Sequence, residues 1–216
     1  MNLTENKLYM SSDIQSEVHI SDGVSAMIYD EENTLSNVTF WKWSSIKYSG
    51  YFEREDSFNK HFLINGEDSR CEVYSLLSSK WEKITAKING ELAANGAFLD
   101  MNIVSFVSDT GFIDLDGIVH ITEWIEKVEG YLSEENIFLW ESGKVRWLPT
   151  LLVQSDDVKA AHACNMERIS DDKLFYLRAR GLPKEDATVL MLESYIAKVF
   201  WDLEENHEEL FTSVKE

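Results

Sequence analysis

The chain has 216 residues, 44% of them apolar, and seven tryptophans, enough for a sizeable core in one domain with an appendage or in two small ones. Its 39 acidic residues against 20 basic ones give a formal charge of −19, which opposes nucleic acid and anionic membrane as partners. No apolar run approaches the roughly 18 residues of a spanning helix. The opening MNLTENKLYMSSD lacks a basic segment followed by an apolar stretch, so a cytoplasmic location is expected. Two cysteines, Cys71 and Cys164, with no CxxC, exclude a disulfide framework and a closed zinc site of the usual kind.

Residues 18–166 show short alternation broken by turn residues, with almost no helical period. In residues 38–48, Thr39, Trp41 and Trp43 fall on one face of an expected strand, with Val38, Phe40 and Lys42 on the other. In residues 81–88, Ile84, Ala86 and Ile88 alternate with Lys83, Thr85 and Lys87. Turn signals stand at Asn89-Gly90, Asn95-Gly96, Asp109 to Gly111, Asp116-Gly117 and Ser142-Gly143. Many short strands imply an all-β sandwich, a barrel or a solenoid, and the alternation alone does not choose among them. Trp41, Trp43 and Trp81 are expected to pack in the core, with a binding platform as the alternative.

The C-terminal part changes period. Ser170 is placed to cap a helix, with Asp171 and Asp172 in its first turn and Leu174, Phe175 and Leu177 as apolar anchors. Gly181 ends that helix and Pro183 opens another, followed by Glu185 and Asp186. Ala187, Leu190, Met191, Ser194, Tyr195, Lys198 and Val199 trace one face, which Leu192, Ile196 and Phe200 widen. So broad a stripe must pack on the β region and leaves apolar area for a partner. His207 lies in an acidic tail read as solvated. The domain reading is a β region over residues 1–169, with its N-terminal boundary open, and a helical unit over 170–216.

Between the two parts, His162 and Cys164 project to the same face of an extended segment. Imidazole and thiolate are both competent ligands for iron or zinc. A histidine hydrogen-bonded at a strand end and a free cysteine acting as a small hydrophobe fit the same residues. Glu167, in the next turn, is read as a solvated residue before the helix or as a carboxylate orienting a ligand. Cys71 is a core or surface thiol. The chain has no GxxxxGK[ST], no GxGxxG after a strand and no GxSxG, so no enzymatic activity is expected.

The stretch SDDVKAAHACNMERISDDKLFYLRARGLPKEDA, residues 155–187, resembles the C-terminal signature of the SufB/SufD family of iron–sulfur cluster assembly scaffolds, most closely the SufD pattern DDVKCSHGATVG followed by DEEQLFYLRSRGI. Asp156, Asp157, Val158, Lys159 and His162 match its first part. Leu174, Phe175, Tyr176, Leu177, Arg178, Arg180 and Gly181 match its second. Upstream, Gly117, Lys127, Tyr131 and Asn136 hold position in a weaker match; before about Phe40 there is none. After the histidine the chain departs at Ala163, Cys164, Asn165, Met166 and Glu167; at the place of Cys164 the family usually has alanine, and its cysteine four residues before that place is Ala160 here.

The resemblance implies an irregular right-handed β-helix followed by a small C-terminal helical domain, in a short SufD-like member lacking the family's N-terminal helical region. It implies a scaffold subunit that pairs with a SufB-like subunit or with itself as a dimer. A SufC-like ATPase would dock on Leu174, Phe175, Tyr176, Arg178, Arg180 and Gly181. His162, with Cys164 beside it, would lie at the subunit interface and act as a metal ligand for a transient iron–sulfur cluster. The alternatives are a diverged structural homodimer without a cluster role and a carbohydrate-active β-helix enzyme, which the chain's negative charge disfavours for acidic polysaccharide.

Overall fold

The computed structural model describes residues 1–53, 56–139, 142–169 and 171–206. In chain order the strands are β1 (Asn2–Leu3), β2 (Leu8–Met10), β3 (Glu17–Ile20), β4 (Ser25–Asp30), β5 (Asn37–Phe40), β6 (Ser45–Phe52) and β7 (Asp56–Ile64). There follow β8 (Arg70–Ser79), β9 (Lys83–Leu92), β10 (Phe98–Val107), β11 (Phe112–Ile121), β12 (Val128–Phe138), β13 (Lys144–Val153) and β14 (Val158–Arg168). Two helices close the described chain, α1 (Asp171–Arg178) and α2 (Lys184–Asn206).

Odd-numbered strands form one sheet and even-numbered strands the other, each a ladder of seven among the described residues. All pairings are parallel and join a strand to its counterpart one coil later. The expected β-helix is therefore present: a solenoid whose coils each contribute one strand to each sheet. The coils are unequal. Leu8 stands opposite Met27, a step of 19 residues, whereas Val128 stands opposite Val158, a step of 30.

Inner faces carry the core. Ile84, Ala86 and Ile88 of β9 are buried, as their alternation indicated, and face Leu99, Met101 and Ile103 of β10 across the interior. Two presumed turns are instead mid-strand. Gly90 lies inside β9 and Gly117 inside β11. Both point inward, where a side chain would collide: a Cβ at Gly90 would come within 2.2 Å of Leu99. Asn95-Gly96 and Asp109 to Gly111 are true corners, with Gly96 and Asp109 at positive φ.

Residues 41–44 also form a corner, which splits the strand expected over 38–48. Trp43 has φ 53°, and its N–H donates to the carbonyl of Glu67 at 2.8 Å. The contact recurs up that side of the solenoid. Gly23 donates to Lys42, Asp68 to Asn95 and Gly96 to Glu126, each at 3.0 Å, and each donor sits at positive φ. A left-handed residue at each of these corners thus hydrogen-bonds the corner above it. The Trp43 side chain points to water from such a corner and is 63% exposed; Trp41 and Trp81, 51% and 62% exposed, also lie at corners, so none of the three is core. Trp81 lies at a corner on the other side, after β8.

The interior also holds an ion pair. Asp30 on β4 and Lys60 on β7 are fully buried and meet at 2.8 Å. Asp30 further accepts from the Tyr48 hydroxyl at 3.0 Å and from the backbone N–H groups of Thr34 and Leu35 at 2.8 and 3.2 Å. Lys60 donates to the Leu35 carbonyl and lies near the Phe52 and Phe58 rings. The pair bridges the two sheets.

Helix α2 lies across the outer face of the even sheet. Ile196, Val199, Phe200 and Leu203 are buried against Tyr29, Leu76, Val104, Phe106 and Ile137. Tyr29 meets Phe200 edge-on at 6.1 Å, and Phe106 meets Tyr195 at 6.3 Å. Lys198 pairs with Glu135, and Lys47 pairs with Asp202 while lying 3.9 Å over the Trp201 ring. The expected stripe holds at Ala187, Ile196, Val199 and Phe200, whereas Leu190 is exposed. Ser170, expected to cap α1, and His207 lie outside the described residues.

Removing one partner of a buried ion pair strands the other charge in a low-dielectric interior. Lys60→Met keeps the length of the stem and leaves the Asp30 carboxylate unneutralised. It is expected to lower unfolding free energy by about 3–5 kcal/mol, read as a fall in the urea midpoint at neutral pH.

Candidate functional site

Strand β14 is the last of its sheet, so one of its hydrogen-bonding edges is unpaired among the described residues. The same holds for β13 on the opposite sheet. Pro149 sits within β13, where a proline is tolerated because the strand is an edge. β14 carries no proline and presents eleven residues of continuous edge.

Register decides which side chains face inward here. His162 stands opposite Leu132, Cys164 opposite Glu134 and Met166 opposite Asn136. Leu132, Glu134 and Asn136 are buried on the inner face, so His162, Cys164 and Met166 line the open mouth of the last coil. His162 is exposed and Cys164 half-buried. Residues two apart on a strand are separated by about 7 Å, so imidazole and thiol share a face without touching. Among the described residues, no three His, Cys, Asp or Glu side chains gather closely enough to hold a metal ion.

Behind Cys164 lies a group that the sequence did not reveal. Glu134 is 1% exposed, and neither carboxyl oxygen has a hydrogen-bond partner. Gly117, across the interior, leaves room for it: a Cβ there would lie 2.5 Å from Oε1. Burial pushes the Glu134 carboxyl up to about 7. Burial, and then the Glu134 charge, push the Cys164 thiol up, opposed by the Asn136 amide, which donates to Sγ at 3.6 Å. Asn136 is itself buried, with its Oδ1 unpartnered. Cys71 lies fully buried in the core, where desolvation drives its thiol well above the ordinary range.

The helical candidates separate by burial. Leu174 is buried and anchors α1. Phe175 and Tyr176 are 70% and 59% exposed, and the Arg180 guanidinium stacks on the Tyr176 ring at 4.1 Å. Gly181 ends the segment at φ 94° and donates to the Arg178 carbonyl at 2.9 Å. Arg178 is exposed. Glu167 faces away from the coil interior and pairs with Lys173 of α1, which holds its carboxyl below the usual range. It ties the helix to the sheet and is not the freely solvated residue expected before the helix.

Fold and rim together define a parallel β-solenoid whose last coil is uncovered among the described residues, with a helical pair clasped to one side. A family model described as "SUF system FeS cluster assembly, SufBD core domain" matches residues 14–195, and the chain belongs to this SufBD family. It is 27% identical over 143 residues to "Iron-sulfur cluster assembly protein SufD" of Escherichia coli (strain K12), covering 65% of this chain and 34% of that protein. The protein of the same description in Bacillus subtilis (strain 168) is 31% identical over 97 residues, covering 45% of this chain and 22% of the relative. An iron–sulfur cluster assembly SufBD family protein of Pyrococcus horikoshii is 27% identical over 78 residues, covering 36% and 18% respectively. The chain thus spans about a third or less of the length of these relatives. No described helix is long and apolar enough to cross a membrane.

The buried carboxyl makes stability depend on pH. Below about 4.5 folded and unfolded chains both hold the Glu134 proton; between 4.5 and about 7 the unfolded chain releases it while the folded chain keeps it. The folded state then binds more protons, so stability falls as pH rises through that window. Denaturant titrations are expected to show Glu134→Gln gaining about 3 kcal/mol on the wild-type chain between pH 4.5 and 7. Parallel pH profiles would reject the assignment.

Proposed function

We propose that this chain is a SufD-like scaffold subunit of an iron–sulfur cluster assembly complex and is not itself an enzyme. The observation that carries the proposal is the open last coil, where the uncovered β14 edge and the inward-facing His162 and Cys164 occupy the same rim. A SufB-like subunit, or a second copy of this chain, docks there by continuing the ladders of backbone hydrogen bonds. Leu148, Leu152, Val153 and Met166, all exposed near this rim, supply apolar area to such a joint.

The transient cluster is cargo. In the joint, His162 offers an imidazole nitrogen to iron while the partner contributes further ligands, and the covered interior keeps water and oxygen from the nascent cluster. The chain holds no phosphate-binding loop, so nucleotide-driven motion must come from a separate SufC-type ABC ATPase. Exposed Phe175 and Tyr176 and the Arg180–Tyr176 stack are its docking face, on a helix pair fixed to the even sheet by α2. Such rigid attachment lets movement of the ATPase reach the rim.

Two experiments test these assignments separately. Reconstituted with a SufB-like subunit and a SufC-like ATPase, His162→Ala is expected to slow cluster formation at least about tenfold with the unfolding midpoint unchanged. A wild-type rate would leave the chain a purely structural subunit. Phe175→Asp with Tyr176→Asp should abolish capture of the SufC-like ATPase in a pull-down while the far-ultraviolet spectrum stays the same. Undiminished capture would remove the helices from the docking face.

A further inference from the structure

We propose that Glu134, Cys164 and Asn136 form a binding site for one divalent cation of the iron(II)–zinc class, inside the last coil and beneath the rim. Their placement is set by register. Glu134 and Cys164 are direct partners on β12 and β14 and face the interior, and Asn136 is the next inward residue of β12. The Asn136 Nδ2 donates to Cys164 Sγ at 3.6 Å, so the amide and the thiol are already in contact. One sulfur donor and the oxygens of a carboxylate and an amide make a mixed set suited to borderline cations.

The burial of these groups is hard to explain without a ligand. Glu134 and Asn136 are each 1% exposed, yet both Glu134 oxygens and Asn136 Oδ1 lack hydrogen-bond partners. A buried polar group left without a partner is costly, and native interiors rarely tolerate several together. The inward neighbours of Glu134 are apolar or absent, with Leu132 beside it, Ile103 opposite it on β10 and Gly117 across the coil, and Asn136 faces only the neutral, likewise unpartnered hydroxyl of Ser105 on β10. None can neutralise a carboxylate. A cation would satisfy all three oxygens at once and convert the thiol into a ligand. Gly117 provides the space, since any larger residue would fill the position Glu134 takes. Cys164 is only half-buried, which leaves a way in from the mouth.

The site is separate from the rim function of His162, which lies one inward position earlier on β14, and it is tested on the isolated chain without any partner. Under anaerobic, reducing conditions the purified protein is titrated with cobalt(II) chloride, then with zinc as competitor. One equivalent is expected to bind, with sulfur-to-cobalt charge-transfer absorption that zinc abolishes. Cys164→Ser should remove the absorption. Glu134→Gln, which keeps shape and fold, should weaken cobalt binding at least about tenfold, and Asn136→Leu should weaken it as well. His162→Ala should leave band and stoichiometry intact. The proposal is overturned by the absence of a charge-transfer band in the wild-type chain, by its persistence in Cys164→Ser, or by unchanged affinity in Glu134→Gln with circular dichroism confirming that each variant is folded.

Discussion

Parallel, in-register stacking governs this molecule. Each strand pairs with its counterpart one coil away without a shift, so an inward side chain always rests on another inward side chain. Cys71, Leu99 and Gly130 form one such column through three successive coils of the even sheet. A slip of one residue would turn every column inside out, exposing the core to water. The same rule places the functional candidates. His162 and Cys164 face the mouth because Leu132 and Glu134 face the interior beneath them.

Corners absorb what the strands cannot vary. Coil length differs by about half along the chain, yet the left-handed residues at 23, 43, 68 and 96 each reach the next corner with one N–H. Hydroxyls reinforce the arrangement: Ser44 and Ser69 both donate to the Trp41 carbonyl at 2.6 Å, and Ser155 donates to that of Thr122 at 2.7 Å. These bonds answer backbone groups that would otherwise be buried and unpaired. They also explain bulky residues in a backbone region that usually favours glycine. The corner hydrogen bond fixes the conformation, and an outward side chain such as that of Trp43 costs little further.

Sequence pattern revealed the elements wherever inward residues were apolar and outward ones were not. Ile84, Ala86 and Ile88 announced β9, and the shared face of His162 and Cys164 followed from the same period of two. The pattern failed where chemistry contradicted position. Lys60 occupies an inward place between Phe58 and Phe62, and Asp30, thirty residues away, supplies the opposite charge that makes that tolerable. Asn89-Gly90 and Asp116-Gly117 resemble turns, but their glycines are inward positions emptied to admit Leu99 and Glu134 from the opposite sheet. Trp43 and Trp124 gave no hint of corners, because aromatic residues seldom adopt positive φ. Glu134 and Asn136 were hidden for the simplest reason, since a carboxylate and an amide in an alternating strand read as its wet side.

The unequal coils have a consequence for how the chain finds its fold. In a solenoid of identical repeats, any coil can stack on any other, and a frame offset by one whole repeat is nearly as good as the correct one. Here successive steps along the even sheet are 19, 20, 25, 28, 31 and 30 residues. Over most of the chain, strands that skip a coil or pair out of turn must strand a surplus of residues in a corner or run short of them. Irregularity of length therefore works like the differing notches of a key: each coil fits its own neighbour, and misassembled frames are penalised before any side chain is packed.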